Sequence, residues 1–204
     1  MNVKGKRGSG RATQAERSQA TRAALIGAAR RLFGERGYAA VGTEEVVRSA
    51  GVTRGALYHH FGGKRDLLEA VYQQLEGELT TRIAEAALGG SDPLAAMQAG
   101  SEMFLDACLE PEVQRIVLLD APAVLGWDRW REIAADQGLG LIEASVGAAI
   151  EAGQLEPQPV RPLAHVLMGA LDEAAMLVAR AEDPAEMREQ VAATLRRVLD
   201  GLRP

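Results

Sequence analysis

The sequence predicts an all-α protein of about nine helices, and three observations carry that prediction. Aromatic residues make up 4% of the 204 positions while 47% are hydrophobic. That balance rests on Ala and Leu and favours helices over the β-branched and aromatic content of sheets. Apolar residues recur at three- and four-residue spacing, one face of a helix, rather than in strand-like alternation. Several helix starts are written out as caps. Asp92-Pro93 and Asp183-Pro184-Ala185-Glu186 each place an acid before a proline at the first helical position, and the second adds a glutamate at N3.

The elements follow in order. Residues 1–13 are Gly, Ser, Lys and Arg with almost nothing apolar, and are expected to form a flexible basic arm. A helix is expected from Gln14 to Arg36, with Leu25, Ile26, Ala29, Leu32 and Phe33 on its inner face and Gly37 as a left-handed cap. Thr43 is expected to cap a two-turn helix ending at Ala50, which Gly51 breaks. Thr53 caps the next helix, Arg54 to His60, in which Leu57 points inward together with Phe61. Lys64 opens a long helix running from Asp66 to about Leu88. Beyond Gly89-Gly90, helices are expected from Pro93, from Glu110-Pro111, from Trp127 to Ala152, from Arg161 to Ala181 and from Pro184 onward. The expected organisation is an arm (1–13), a small helical domain (14–65) and a larger helical domain (66–204).

Composition excludes several function classes. The single cysteine, Cys108, rules out an internal disulfide framework and a Cys-based zinc site. On a mostly apolar helix it reads as a small buried side chain rather than a redox sensor. No unbroken apolar run reaches the roughly 18 residues of a membrane span, and the basic start has no apolar stretch behind it, so a cytoplasmic protein with no membrane partner is expected. Neither a Gly-x-Ser-x-Gly elbow nor a phosphate-binding P-loop is present, and no enzyme is expected. His59 and His60 are adjacent, about 100° apart on a helix, so they cannot chelate as an i, i+4 pair would, and His165 is distant in sequence. No metal and no cofactor are expected.

Charge is the informative property. Residues 1–65 hold 13 Lys/Arg against 4 Asp/Glu, a balance of +9, while residues 66–204 hold 10 against 24, a balance of −14, giving the net −5. A basic module meeting a polyanion, attached to an acidic body, fits this polarity. The basic module contains two short helices joined by a glycine turn, a helix-turn-helix. On the second helix Arg54, Tyr58 and His59, with Lys64 beyond it, can donate to phosphates. Gly55 and Ala56 leave room for close approach to bases.

These residues carry a resemblance. The run Leu32-Phe33-Gly34-Glu35-Arg36-Gly37-Tyr38, Thr43, the stretch from Ala50-Gly51-Val52-Thr53-Arg54-Gly55-Ala56-Leu57-Tyr58-His59-His60-Phe61, and Lys64-Arg65-Asp66-Leu67-Leu68 resemble the DNA-binding domain of the TetR family of bacterial regulators, over residues 25–72. The segment Leu118 to Arg131 is similar to one in the C-terminal domain of some members. The resemblance implies a homodimer on a roughly palindromic double-stranded operator, with a C-terminal ligand-binding and dimerisation domain that answers a small molecule. It implies that Thr43 sits near a phosphate, that Thr53 and Arg54 open the recognition helix, and that Tyr58, His59 and Lys64 hold the DNA backbone. Whether Arg54 reads a guanine or holds a phosphate stays open. The alternatives to a ligand-released repressor are an activator, a ligand-independent sequence-specific DNA-binding protein and a non-specific nucleoid-type DNA binder.

In the larger domain Met103, Phe104, Leu118, Trp127, Trp130, Met168 and Met176 are the large apolar side chains available. Plain core is the commoner role for each, and the wall of a pocket for an apolar effector is the alternative. Asp172 and His165 offer polar contacts there, although a surface acid is the commoner reading of Asp172. Small residues and periodic Leu/Val positions on the last two helices suggest a four-helix dimer seam containing Leu167, Leu171, Val191, Leu195 and Val198.

Overall fold

The computed structural model describes residues 13–90 and 92–204. The expected basic arm lies outside the described residues except for Thr13, whose side chain accepts from Glu16 N–H and completes a capping box. Among the described residues there are nine α-helices, one π-helical segment and no strand. The helices are α1 (Gln14–Arg36), α2 (Thr43–Ala50), α3 (Arg54–His60), α4 (Lys64–Ala87), α5 (Pro93–Ala107), α6 (Ala121–Leu125), α7 (Trp127–Glu151), α8 (Val160–Arg180) and α9 (Pro184–Asp200), with the π segment at Val113–Asp120.

The expected caps form at Thr53, Asp92 and Asp183, whose side chains accept from the N–H of Ala56, Ala95 and Glu186. Two expectations are corrected. Gly42, not Thr43, occupies the cap of α2, and Thr43 is its first helical residue. Gly37 has a positive φ of 80° but an extended ψ of 155°, so it turns the chain sharply away from α1 instead of continuing it into a left-handed turn. Gly51, at φ 67° and ψ 29°, is the left-handed residue between α2 and α3 and lets two short helices meet at a sharp angle.

Helices α1, α2 and α3 pack around Leu25, Phe33, Val46, Leu57 and Phe61. The first half of α4 closes that core with Leu67, Leu68 and Val71. The same cluster continues without a break into Tyr72, Ile116, Leu118 and Trp130. Behind it α5 and α7 pack on α4 and on each other, α8 packs on α5 and α7, and α9 packs on α5 and α8. Helices α7 and α8 are long and apolar enough to cross a membrane by length and composition alone. Neither holds an unbroken apolar run, because charged residues punctuate both, and each contributes side chains to the cavity described below.

The π segment departs from anything the periodicity predicted. It follows Pro111 and runs into α6, whose first turn carries Pro122. Gly126, at φ 85°, then starts α7. A π-helix widens the turn by about one residue; it is rare and frequently found at functional sites.

Candidate nucleic-acid interface and effector cavity

The candidate reading surface is the outer side of α3. Thr53, Arg54, Gly55, Tyr58 and His59 are exposed, Ala56 is half-buried, and Leu57 is fully buried beneath them. The seven-residue helix therefore divides into a packed inner edge and an outer edge of donors and small residues. The Arg54 guanidinium lies over the Tyr58 ring at 5.6 Å and reaches Glu44 Oε1 on α2 at 3.4 Å. Both partners of that ion pair are largely solvated, so it holds Arg54 weakly and leaves it free to move to a stronger acceptor. His59 and His60 pack edge to face, with centroids 5.1 Å apart.

Lys64 is used differently from the other donors. Its ammonium donates to the carbonyls of Tyr38 and Val41, both at 2.9 Å, and lies 3.9 Å from the Tyr38 ring centroid. Two of its three protons thus tie the start of α4 to the loop before α2, and only the third remains for a phosphate. Several arginines of the basic third are also internally engaged: Arg36 pairs with Glu45, Arg31 with Ser49, and Arg22 lies over Phe61.

Three contacts fasten this head to the body. Arg30 on α1 forks onto Glu112 at 2.9 and 2.8 Å and reaches Glu78 on α4 at 2.7 Å. These carboxylates raise the guanidinium pKa further. The Tyr38 N–H donates to Asp120 Oδ2 at 2.7 Å, and Arg65 donates to the Leu125 carbonyl at 3.2 Å. All three lead to the π segment or its flanks.

The other side of the π segment borders a cavity, part of it open to solvent, between α4, α5, α7, α8 and α9. Of the expected pocket residues, Phe104, Leu118, Trp130, Met168 and Asp172 line it. Met103, Trp127 and Met176 do not. Met103 turns toward Arg82, Met176 is core, and Trp127 is 47% exposed against the outer side of Trp130. Trp130 is buried, donates from Nε1 to the Val117 carbonyl at 2.9 Å, and accepts at its own carbonyl from the Tyr72 hydroxyl at 3.0 Å. Asp172 is not a surface acid: it is 7% exposed and paired with Arg131. Burial pushes its carboxyl up to about 6 against the lowering effect of that arginine. His165 is exposed and outside the cavity.

The sequence reading missed Glu76, which lines the cavity from α4. Burial, with help from nearby Asp172, pushes its carboxyl up to about 7, although contact with Tyr72 acts the other way. Its one sequence signal is an acid between Tyr72, Leu75 and Leu79, on the apolar side of α4.

The expected dimer residues are also redistributed. Leu167, Leu171 and Leu195 line the cavity, and Val191 packs against the cluster of Leu105, Ala174 and Ala192. Val198 alone of that set is exposed. On α8 the outward apolar residues are Val166 and Leu177, eleven residues and about three turns apart, hence on one face. Cys108 is buried, and burial pushes its thiol up to about 12, which leaves it unreactive.

Comparison with known proteins agrees with this geometry. Residues 25–71 match the family model "Bacterial regulatory proteins, tetR family", and residues 94–202 match "Tetracyclin repressor-like, C-terminal domain". The chain is 29% identical to the transposon Tn10 TetC protein of Escherichia coli, over 93% of this chain and 96% of that one. It is 34% identical to the HTH-type transcriptional regulator CymR of Pseudomonas putida, over 65% and 70%. A crystal structure of a TetR-family transcriptional regulator from Pectobacterium atrosepticum superposes with a TM-score of 0.84 at 36% identity, covering 94% of this chain and 98% of that one.

Proposed function

The chain belongs to the TetR family of bacterial transcriptional regulators, non-enzymatic DNA-binding proteins, and from that premise we propose that it is a repressor released from its operator by a small molecule. The observation that carries this reading is the path from α3 to the cavity. The head rests on the π segment through Arg30–Glu112 and Tyr38–Asp120, while Val117 and Leu118 of that segment line the cavity. A ligand that prefers one arrangement of the π segment also biases the position of α3, and the coupling is reciprocal.

The proposed DNA contacts are Thr43, Thr53, Arg54, Gly55, Ala56, Tyr58 and His59, with the third proton of Lys64. The active unit is a homodimer, which would set two α3 helices about one DNA turn apart on a palindrome. Its seam lies on the outer faces of α8 and α9, where Val166, Leu177 and Val198 supply exposed apolar surface. Such a protein works where the chromosome is, in the cytoplasm.

Selection of binding sites from random duplexes, followed by anisotropy titration, tests the reading. The expected result is a palindromic consensus, resistance to random competitor DNA, and affinity that falls steeply with salt by several phosphate equivalents. Equal binding to all duplexes would favour a non-specific DNA binder and overturn the repressor reading.

A further inference from the structure

The cavity wall is mostly apolar, yet among the described residues it carries two carboxylates, Glu76 and Asp172, and no Lys, Arg or His. The two acids enter from different helices, α4 and α8, and interact electrostatically. Their circumstances differ. Asp172 has a cation of its own, Arg131, which lies outside the wall. Glu76 has only the Tyr72 hydroxyl one turn away, and that single proton donates to the Trp130 carbonyl. Glu76 is thus half-buried in the wall without a counter-charge, and the surface it retains faces the cavity. A partly desolvated carboxylate in that position is costly until a positive group meets it. The same wall includes Phe104, Trp130, Met97 and Met168, side chains that suit a cation with a weak hydration shell.

We propose that the cavity takes a lipophilic organic cation, an apolar body bearing an ammonium group seated against Glu76, with Asp172 and its arginine as the outer boundary of the charged end. This assignment rests on the reading of the cavity as the effector site. It also ranks a fatty-acid-like anion below the cation, because the anion would add a third carboxyl group to a wall with no cation to receive it.

The test uses three probes of equal chain length, decyltrimethylammonium, decanoate and 1-decanol, titrated calorimetrically into the intact protein below their aggregation limits. The ammonium is expected to bind about tenfold or more tighter than either of the others, the scale of one charge-assisted contact. Glu76→Gln is expected to remove that advantage while leaving 1-decanol binding unchanged. The proposal is overturned if the ammonium shows no binding, if decanoate or 1-decanol binds as well, or if folded Glu76→Gln keeps the preference. Should the variant not fold, the ranking of the three probes on the unaltered protein decides. Operator release, followed by anisotropy, is a separate readout. Selective ammonium binding without loss of operator would support the cation assignment and overturn the release reading instead.

Discussion

Arg30 and Glu112 stand 82 residues apart in the chain and meet as a two-pronged pair, Nε to Oε1 at 2.9 Å and Nη2 to Oε2 at 2.8 Å. The third guanidinium nitrogen holds Glu78 with two bonds, at 2.7 and 2.8 Å. One side chain of α1 therefore bridges α4 and the entrance to the π segment. The planar guanidinium suits this role because its fork matches two carboxylates at once, which a lysine cannot do.

A double-mutant cycle on Arg30→Met and Glu112→Gln should give a coupling energy of about 1–2 kcal/mol by denaturant unfolding, more than an exposed pair because the geometry is forked and half-buried. The same variants should weaken the response of operator binding to effector more than operator binding itself. A coupling near zero would mean that the pair is incidental to how the head is held.

Arg54→Ala should weaken operator binding by about 1–3 kcal/mol while leaving the melting temperature unchanged, since its side chain is mostly solvated and its pairing with Glu44 is loose. Lys64→Ala should behave in the opposite way, losing stability first, because it strips the Tyr38 and Val41 carbonyls of their donor. Thermal melts and anisotropy titrations on the same preparations separate the two outcomes.

Leu177→Glu and Val166→Glu should shift the protein to monomer in sedimentation velocity, because each sets a charge into the proposed apolar seam. Leu195→Glu should instead damage the cavity, lowering effector affinity or stability. A dimer that survives both outward substitutions at micromolar concentration places the seam elsewhere.

Stability should fall as pH rises through the range where Glu76 and Asp172 titrate, about 7 and about 6. In the folded protein both carboxyls keep protons that the unfolded chain has already released. Their contribution is full below about pH 4 and is lost as pH climbs past 7. The groups around Glu76 are Tyr72 on its own helix, Asp172 on α8 with Arg131 of α7 behind it, and buried Cys108. None of these removes the effect, since Arg131 is committed to Asp172. The melting temperature should drop by roughly 3–8 °C between about pH 5 and pH 8, and Glu76→Gln should flatten the curve. A melting temperature that rises over this interval would contradict the burial argument.

The sequence by itself determined the helical class, the capped starts at Thr53, Asp92 and Asp183, and the division of α3 into buried Leu57 and exposed Arg54, Tyr58 and His59. These are local properties: caps and short amphipathic helices are decided within a few residues by hydrogen bonding and periodicity. The charge polarity between the first third and the rest was legible for the same reason, since it needs only counting. Tertiary structure alone decided which apolar residues face a cavity and which face outward. Leu195 and Val198 lie three apart on α9, so both satisfy the same periodic pattern, yet one lines the cavity and the other meets solvent. Periodicity gives a face but not what that face meets. Only tertiary structure could place Glu76 opposite Asp172, and Arg30 against Glu112, because the environment of a charge depends on helices that arrive from elsewhere in the chain. The π segment belongs with these: its extra residue per turn is held by contacts with the head on one side and Trp130 on the other, and neither is written in its own eight residues.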